Sequence, residues 1–241
     1  MLSGKSFFID QTRCTACRGC QVACKQWNQN PASETSNWGS HQNPKDLEWN
    51  TFKLVRMEER VIDGQLKWLF FPDQCRHCVV PPCKLAADLT DEQAIVVDQA
   101  TGAVLFTERT KNVPFEDVRS ACPYDVPRQD PKTKILKKCT MCFDRITNGL
   151  KPACVHHCPT GALNFGERED MLKQAKERLE AYKKTRPKTV LIDASDVNCV
   201  FLTEYDPKAY HRYAVAERDV SPADRRALFA RLFSPAARIV G

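Results

Sequence analysis

No stretch of this 241-residue chain comes near the roughly 18 consecutive apolar residues that a membrane-spanning helix needs. Its apolar runs, such as 68–71 and 95–97, are only a few residues long, so no transmembrane segment is expected. At the N-terminus one Lys precedes Phe7, Phe8 and Ile9, and Asp10 follows. That leaves no apolar core for a secretory signal and no twin-arginine pair, so export would have to be arranged by another protein. With 9 glycines and 15 prolines the chain is no low-complexity linker, and at 42% hydrophobic and 27% charged it is long enough to bury a core. It has no G-x-S-x-G, no P-loop and no G-x-G-x-x-G, which removes the hydrolase elbow, the nucleotide cradle and the dinucleotide fingerprint. The net charge is +6, yet the basic residues are scattered, with doublets such as Lys137-Lys138 and Lys183-Lys184 and no long run. Nucleic acid is therefore not expected as a partner.

What the chain has in excess is cysteine, 13 residues, far more than packing uses. The first group is Cys14-x2-Cys17-x2-Cys20-x3-Cys24. Three thiolates at three-residue steps each take one corner of an iron–sulfur cubane, while the fourth points to another cluster, as in two-cluster ferredoxins. The last group, Cys139-x2-Cys142-x11-Cys154-x3-Cys158 with Pro159 after it, is the same arrangement with an insertion. Crosswise pairing gives one cluster from Cys14, Cys17, Cys20 and Cys158, and a second from Cys24, Cys139, Cys142 and Cys154. In the middle, Cys75-x2-Cys78-x4-Cys83 has Ala86-Ala87-Asp88 where a fourth ligand would fall. Further on, Cys122-Pro123 looks like the end of a group whose first three cysteines are missing from 109–119. The losses match, so Cys75, Cys78, Cys83 and Cys122 form a third cluster, and three [4Fe-4S] clusters use twelve cysteines. Their thiolates and cores would together add about six negative charges and offset the basic excess. Cys199, in the apolar run 197–202, reads as a small buried hydrophobe.

Other uses of cysteine fit poorly. Disulfide frameworks belong to short secreted chains. Zinc ribbons pair two separated C-x2-C knuckles, unlike the first group. A thioredoxin-like site would be one isolated C-x-x-C. His77, His156 and His157 lie between cluster cysteines and read as polar neighbours or surface residues rather than ligands. Arg18, Arg76, Lys84, Lys137 and Lys138 are close to ligands in sequence and could raise cluster potentials. No catalytic constellation is evident.

The expected fold is α+β, a duplicated bacterial-type 2[4Fe-4S] ferredoxin-like unit with long loops and a C-terminal extension of helix and strand. Residues 1–26 with 130–166 form the first unit (two clusters), 27–65 a polar insertion loop, 66–129 a second, reduced unit (one cluster), and 167–241 the extension. Strands are expected at 6–9 and 162–165, pairing with each other, and at 66–71, with a hairpin from 94–97 and 103–106. A helix is expected over 168–184, strands at 190–192 and 200–202, and a last amphipathic helix from the Ser221-Pro222 cap through Phe233, whose apolar face suits a partner subunit better than self-docking. Trp27, Trp38 and Trp49 in or beside the polar loop suggest either an interface or a shield over the clusters.

The runs Phe7-Phe8-Ile9-Asp10, 14–27, 39–44, Cys75-Arg76-His77-Cys78, 121–128 and Cys158-Pro159-Thr160-Gly161-Ala162 closely resemble the small iron–sulfur beta subunits of soluble tungsten- or molybdenum-dependent formate dehydrogenases from sulfate-reducing bacteria. The similarity covers nearly the whole chain, including 229–233. Compared with the broader four-cluster subunits of molybdopterin oxidoreductases, one cluster and a C-terminal membrane helix are missing, as in that soluble branch. The resemblance implies a non-catalytic electron-transfer subunit. Its catalytic alpha partner would carry a tungsten or molybdenum bis-pterin and one [4Fe-4S] cluster. The external acceptor would be a multihaem cytochrome c. The folded pair would be exported to the periplasm on the partner's twin-arginine signal, although a leaderless chain could equally stay in the cytoplasm. Rival readings are the iron–sulfur subunit of a polysulfide, sulfoxide or nitrate reductase, or a zinc-organised binding module.

Overall fold

The computed structural model describes residues 4–216. The expected last helix at 221–233 lies outside them. The architecture is the α+β ferredoxin-like one, with small sheets and short helices threaded between cysteine loops.

Strand β1 (Lys5–Asp10) leads into the first cysteine loop and helix α1 (Gly19–Trp27). After an irregular stretch come β2 (Leu54–Ile62) and β3 (Gln65–Asp73), then α2 (Pro82–Asp88), β4 (Ile95–Val97), β5 (Val104–Phe106) and α3 (Phe115–Ser120). The two-residue strands β6 (Arg128–Gln129) and β7 (Leu136–Lys137) pair before the short helices α4 (Phe143–Ile146) and α5 (Ala153–His156). Strand β8 (Leu163–Glu167), helix α6 (Arg168–Lys183), strands β9 (Val190–Ile192) and β10 (Cys199–Thr203) and helix α7 (Pro207–Tyr210) complete the described chain.

β1 and β8 pair antiparallel, with Phe7 opposite Phe165, as the ferredoxin reading expects. The hairpin of β4 and β5 and the helix α6 are also where the sequence places them. Two boundaries differ. The expected loop 27–65 ends in β2, which pairs with β3 through a two-residue Asp63-Gly64 turn, both residues at positive φ. Asp-Gly is a preferred dipeptide for such a turn because its two central positions need left-handed backbone. The expected extension from 167 onward is not a separate appendage. Its β10 pairs parallel with β1, giving the sheet order β8-β1-β10-β9, and all five of its residues are buried. Just before it, Val197 bridges to Cys78, and the Asn198 N–H donates to the carbonyls of Arg76 and His77. The tail thus closes over the middle unit.

Helix α6 is fastened where it meets the first cysteine loop. Arg178 and Tyr182 donate to the buried Asp10 carboxylate at 2.7 and 3.2 Å, four residues before Cys14.

His211, following α7, has its pKa lowered to about 4, mainly by burial, with the Asp73 carboxylate opposing that shift and Arg56 and Arg76 reinforcing it. Between pH 6.5 and 4 the unfolded chain therefore binds a proton that the folded chain refuses, and stability falls as pH falls. At pH 5 the loss is about 2 kcal/mol from this group. The guanidinium midpoint measured at pH 7 and pH 5 checks it: His211→Gln should show a smaller acid loss than wild type, and equal losses would contradict the assignment.

Candidate metal centres

The C-x2-C step that opens each of the three cysteine runs is built by the same turn. Two residues after the first cysteine the backbone is left-handed, at Ala16 (φ 54°), His77 (φ 47°) and Met141 (φ 62°). That places a main-chain N–H on the first sulfur: His77 donates to Cys75 Sγ at 3.3 Å, Met141 to Cys139 Sγ at 3.4 Å, and Ala16 to Cys14. None of the three is a glycine, so each turn stores backbone strain, a feature that concentrates at functional sites. The two Cys-Pro ends match in the same way. Cys122 receives N–H groups from Tyr124 and Val126, and Cys158 from Thr160 and Ala162, two and four residues on in each case. The duplication read from cysteine spacing is therefore repeated in backbone geometry.

The thiols gather in three sets. Burial is the largest cause of the raised Cys24 pKa, and Cys139, Cys154 and Cys142 raise it further. These four line a common space with Phe7, Phe52, Lys53, Gln74 and Met141. Cys75, Cys78, Cys83 and Cys122 line a second, with prolines, Val104, Tyr124 and Lys138. Burial pushes Cys83 up to about 12 and Cys122 to about 11, with Cys75 adding to both. In the remaining set, the first in sequence, Cys14 is pushed up to about 11, again chiefly by burial, with Cys20 and Cys158 contributing, while Cys158 and Cys17 act on Cys20. At Cys158 burial is outweighed by the N–H groups of Leu163, Ala162 and Thr160 and the Thr160 hydroxyl, and the thiol is lowered. Cys24, Cys139, Cys142 and Cys154 thus line one space, Cys75, Cys78, Cys83 and Cys122 another, and Cys14, Cys17, Cys20 and Cys158 influence one another.

Among the described residues, no three Cys, His, Asp or Glu side chains converge tightly enough to hold a single ion. Four crowded thiols that raise one another's pKa around a water-poor space fit a larger, strongly cationic core, because a coordinated thiol is held as thiolate. The donor set therefore suits [4Fe-4S] clusters, with the four cysteines of each set as holders.

The sets stand in file. Cys20 of the first acts on Cys154 of the second, and Cys75 of the third on Cys139 of the second. All four cysteines of the second set are buried, whereas the first includes the exposed Cys17 and the third the half-buried Cys78 and Cys122. The second set thus adjoins both of the others.

Where the sequence lost ligands, an apolar core has taken the space: Cys83, Ala87, Ile95, Val113, Val118 and Leu136 pack together, with α2 against α3. Cys199 is fully buried in β10 and its Sγ accepts from Gln74 at 3.3 Å, in keeping with a packing role. His156 and His157 are exposed, whereas His77 is buried, its Nδ1 accepting from the Val104 N–H at 3.0 Å. Trp27 donates to Asp144 and Trp49 faces the Lys137 ammonium, so both fold onto the last cysteine group. Trp38 instead opens with Trp68 onto a surface groove beside Arg18. Lys53 was not a sequence candidate. Its ammonium is buried against the second set, and only the fold of the polar stretch brings it there.

An ion-pair chain ties the third set to the hairpin. Asp73 is held by Arg76 at 2.9 Å and Arg56 at 2.8 Å; Arg56 reaches Asp46, which Arg128 also holds at 2.8 Å; and Arg128 and Arg119 meet Asp125. Arg76 is enclosed by the rings of Phe71, Tyr124 and Phe201.

Residues 66–168 match the 4Fe-4S dicluster domain family, which makes this an iron–sulfur protein of the ferredoxin type, in keeping with its cysteine groups on left-handed turns. The chain is 59% identical over 213 residues to formate dehydrogenase subunit beta of Megalodesulfovibrio gigas, covering 88% of this chain and 99% of that one. It is 50% identical to formate dehydrogenase 2 subunit beta (cytochrome c-553) of Nitratidesulfovibrio vulgaris, covering 87% and 98%. With the formate dehydrogenase-O iron–sulfur subunit of Escherichia coli it shares 38% identity, covering 73% of this chain and 57% of that one. The chain belongs to the family of formate dehydrogenase beta subunits, which are iron–sulfur electron-transfer subunits. Among the described residues no helix is long and apolar enough to cross a membrane.

Proposed function

We propose that this chain carries electrons through three [4Fe-4S] clusters in file between a catalytic alpha subunit and an external cytochrome c. The observation that carries the reading is the linear arrangement of three cysteine fours, one enclosed and two reaching toward the surface. Formate oxidation releases CO2, one proton and two electrons at the partner's site; this chain supplies the conductor. When bound, the clusters provide one-electron storage without bond making. Cys14, Cys17, Cys20 and Cys158 hold the first, Cys24, Cys139, Cys142 and Cys154 the second, and Cys75, Cys78, Cys83 and Cys122 the third. The protein's part is to fix these sulfurs, aim N–H groups at them and keep water out, which sets the potentials. The partner's metal is tungsten or molybdenum on a bis-pterin with its own [4Fe-4S] cluster, and the complex works in the periplasm. The cytochrome c-553 in one relative's name supports a haem acceptor.

Iron analysis and EPR on the purified complex test the reading. About sixteen irons and four reduced iron–sulfur centres are expected in the complex, twelve irons and three centres of them from this chain and one centre from the partner, and any other number from this chain overturns the ligand assignment. The isolated, iron-loaded chain should show no formate oxidation with a dye acceptor, and adding the partner should restore it. Activity from the chain alone would refute the division of labour.

A further inference from the structure

Two lysines are buried without a carboxylate. Lys53 is 2% exposed, and its ammonium donates only to the Pro72 carbonyl at 2.9 Å and Gln74 Oε1 at 2.7 Å. Lys138 is 5% exposed, donates to the carbonyls of Val104 and Cys139, and sits 4.7 Å from the centre of the Phe106 ring. Neither makes an ion pair among the described residues. Neutral carbonyls and a ring do not repay the removal of an ammonium from water, so each site needs a negative neighbour.

The position of each lysine identifies that neighbour. Lys53 lines the space enclosed by Cys24, Cys139, Cys142 and Cys154, and it acts on Cys20 of the first set as well. Lys138 lines the space of the third set, acts on Cys83, and binds the carbonyl of Cys139 in the second. There is one buried cation at each of the two gaps in the file. Arg76, the other large buried cation near the third set, is already committed to Asp73.

We propose that Lys53 and Lys138 are the counter-charges of the cofactor file, each setting the midpoint potentials of the two clusters that flank its gap. The inference rests on the three-cluster reading and adds residue-level control to it. A four-thiolate [4Fe-4S]2+ centre has a net charge of about −2 and takes up one electron, with no bond formed or broken. In a dry interior that third negative charge is unfavourable, and a fixed cation nearby offsets it, favouring the reduced form. A unit charge on the order of 10 Å away, at an effective dielectric near 20, changes such an equilibrium about tenfold or more. The second cluster, touched by both lysines, feels both.

The test is a dithionite titration of the assembled complex, followed by EPR, for wild type and for Lys53→Met, Lys53→Arg, Lys138→Met and Lys138→Arg. Each Met variant should lower the reduced-to-oxidised ratio at fixed potential at least tenfold, about 59 mV for a one-electron couple, in two of the three centres. The two affected pairs should share one centre, and the Arg variants should stay close to wild type. A shift in no centre, in one only, or evenly in all three overturns the proposal, as does an equal shift in the Arg variants. If a Met variant fails to load iron, Lys53→Gln or Lys138→Gln, which keeps a hydrogen-bond donor, carries the same test. Loss of iron from both replacements makes that lysine a packing element and overturns its assignment. The two failures are distinct: fewer than three centres from this chain, beside the partner's own, removes the cluster reading in wild type, while three such centres whose potentials do not move in the variants remove only this one.

Discussion

Replacing Cys122 with Ala lowers the iron content of this chain from about twelve to about eight and leaves two reduced EPR centres. Cys122 stands 39 residues after Cys83, its nearest set partner in sequence, because the β4–β5 hairpin and helix α3 lie between Cys83 and the Cys-Pro turn. Its sulfur is oriented by the N–H groups of Tyr124 and Val126, and no other described thiol lines that side of the space. The third set is one end of the file, so its loss cuts the path whichever end faces the catalytic partner. Formate oxidation with a cytochrome acceptor should fall at least about a hundredfold, since electrons must then jump a missing station. Cys199→Ala is the matched control. It removes an equally buried thiol from β10, where Gln74 rather than a set of cysteines is its neighbour, and iron should remain near twelve. Unchanged iron in the Cys122 variant, or equal loss in the Cys199 variant, would break the assignment of the third set.

The assignment of cysteines to centres rests mainly on their spacing. Ligand geometry constrains local spacing tightly, and the losses around Ala86-Ala87-Asp88 and 109–119 balance only if Cys122 completes the middle set. The strand pair β1 and β8 followed because Cys158 has to return to the neighbourhood of Cys14. What was not legible depends on contacts with no local signature. Strand β10 carries an apolar run that predicts a strand, but nothing in it says that it joins β1 in parallel and roofs the middle unit. β2 was hidden because most of its residues are polar or half-exposed, although Asp63-Gly64 between Ile62 and Gln65 was a hairpin signal that could have revealed it. Lys53 lies 22 residues before the nearest cysteine downstream, in a stretch that reads as solvated, and its burial is a product of tertiary packing alone.

The ion-pair chain is the other feature that sequence could not supply, and it carries a large prediction. Asp73→Asn preserves shape and removes one charge from a carboxylate that is completely buried between Arg56 and Arg76. Two guanidinium groups then face each other in the interior with no anion between them, and breaking such a buried pair costs about 3–5 kcal/mol. The damage should reach the third set first. Asp73 lies two residues before Cys75, while the far end of the chain, Arg128 and Asp125, follows Cys122, so the network holds together the two stretches that supply those thiols. The same carboxyl predicts an acid limit. Burial alone would raise its pKa, but the two arginines hold it down at about 2, below its unfolded value of about 3.9. A depressed carboxylate contributes stability that is fully present above the unfolded pKa and lost as pH falls through the folded one, here about 2 kcal/mol between pH 4 and 2. Loss of visible absorbance against guanidinium concentration reads the effect, with Lys188→Met as control because its pair with Asp63 is exposed on both sides and should contribute less than about 1 kcal/mol. Asp73→Asn should shift the midpoint far more than the control and release about four irons before the remaining eight. A midpoint shift no larger than that of Lys188→Met, or release of all the iron in one step, would mean that the network does not hold the third set in place.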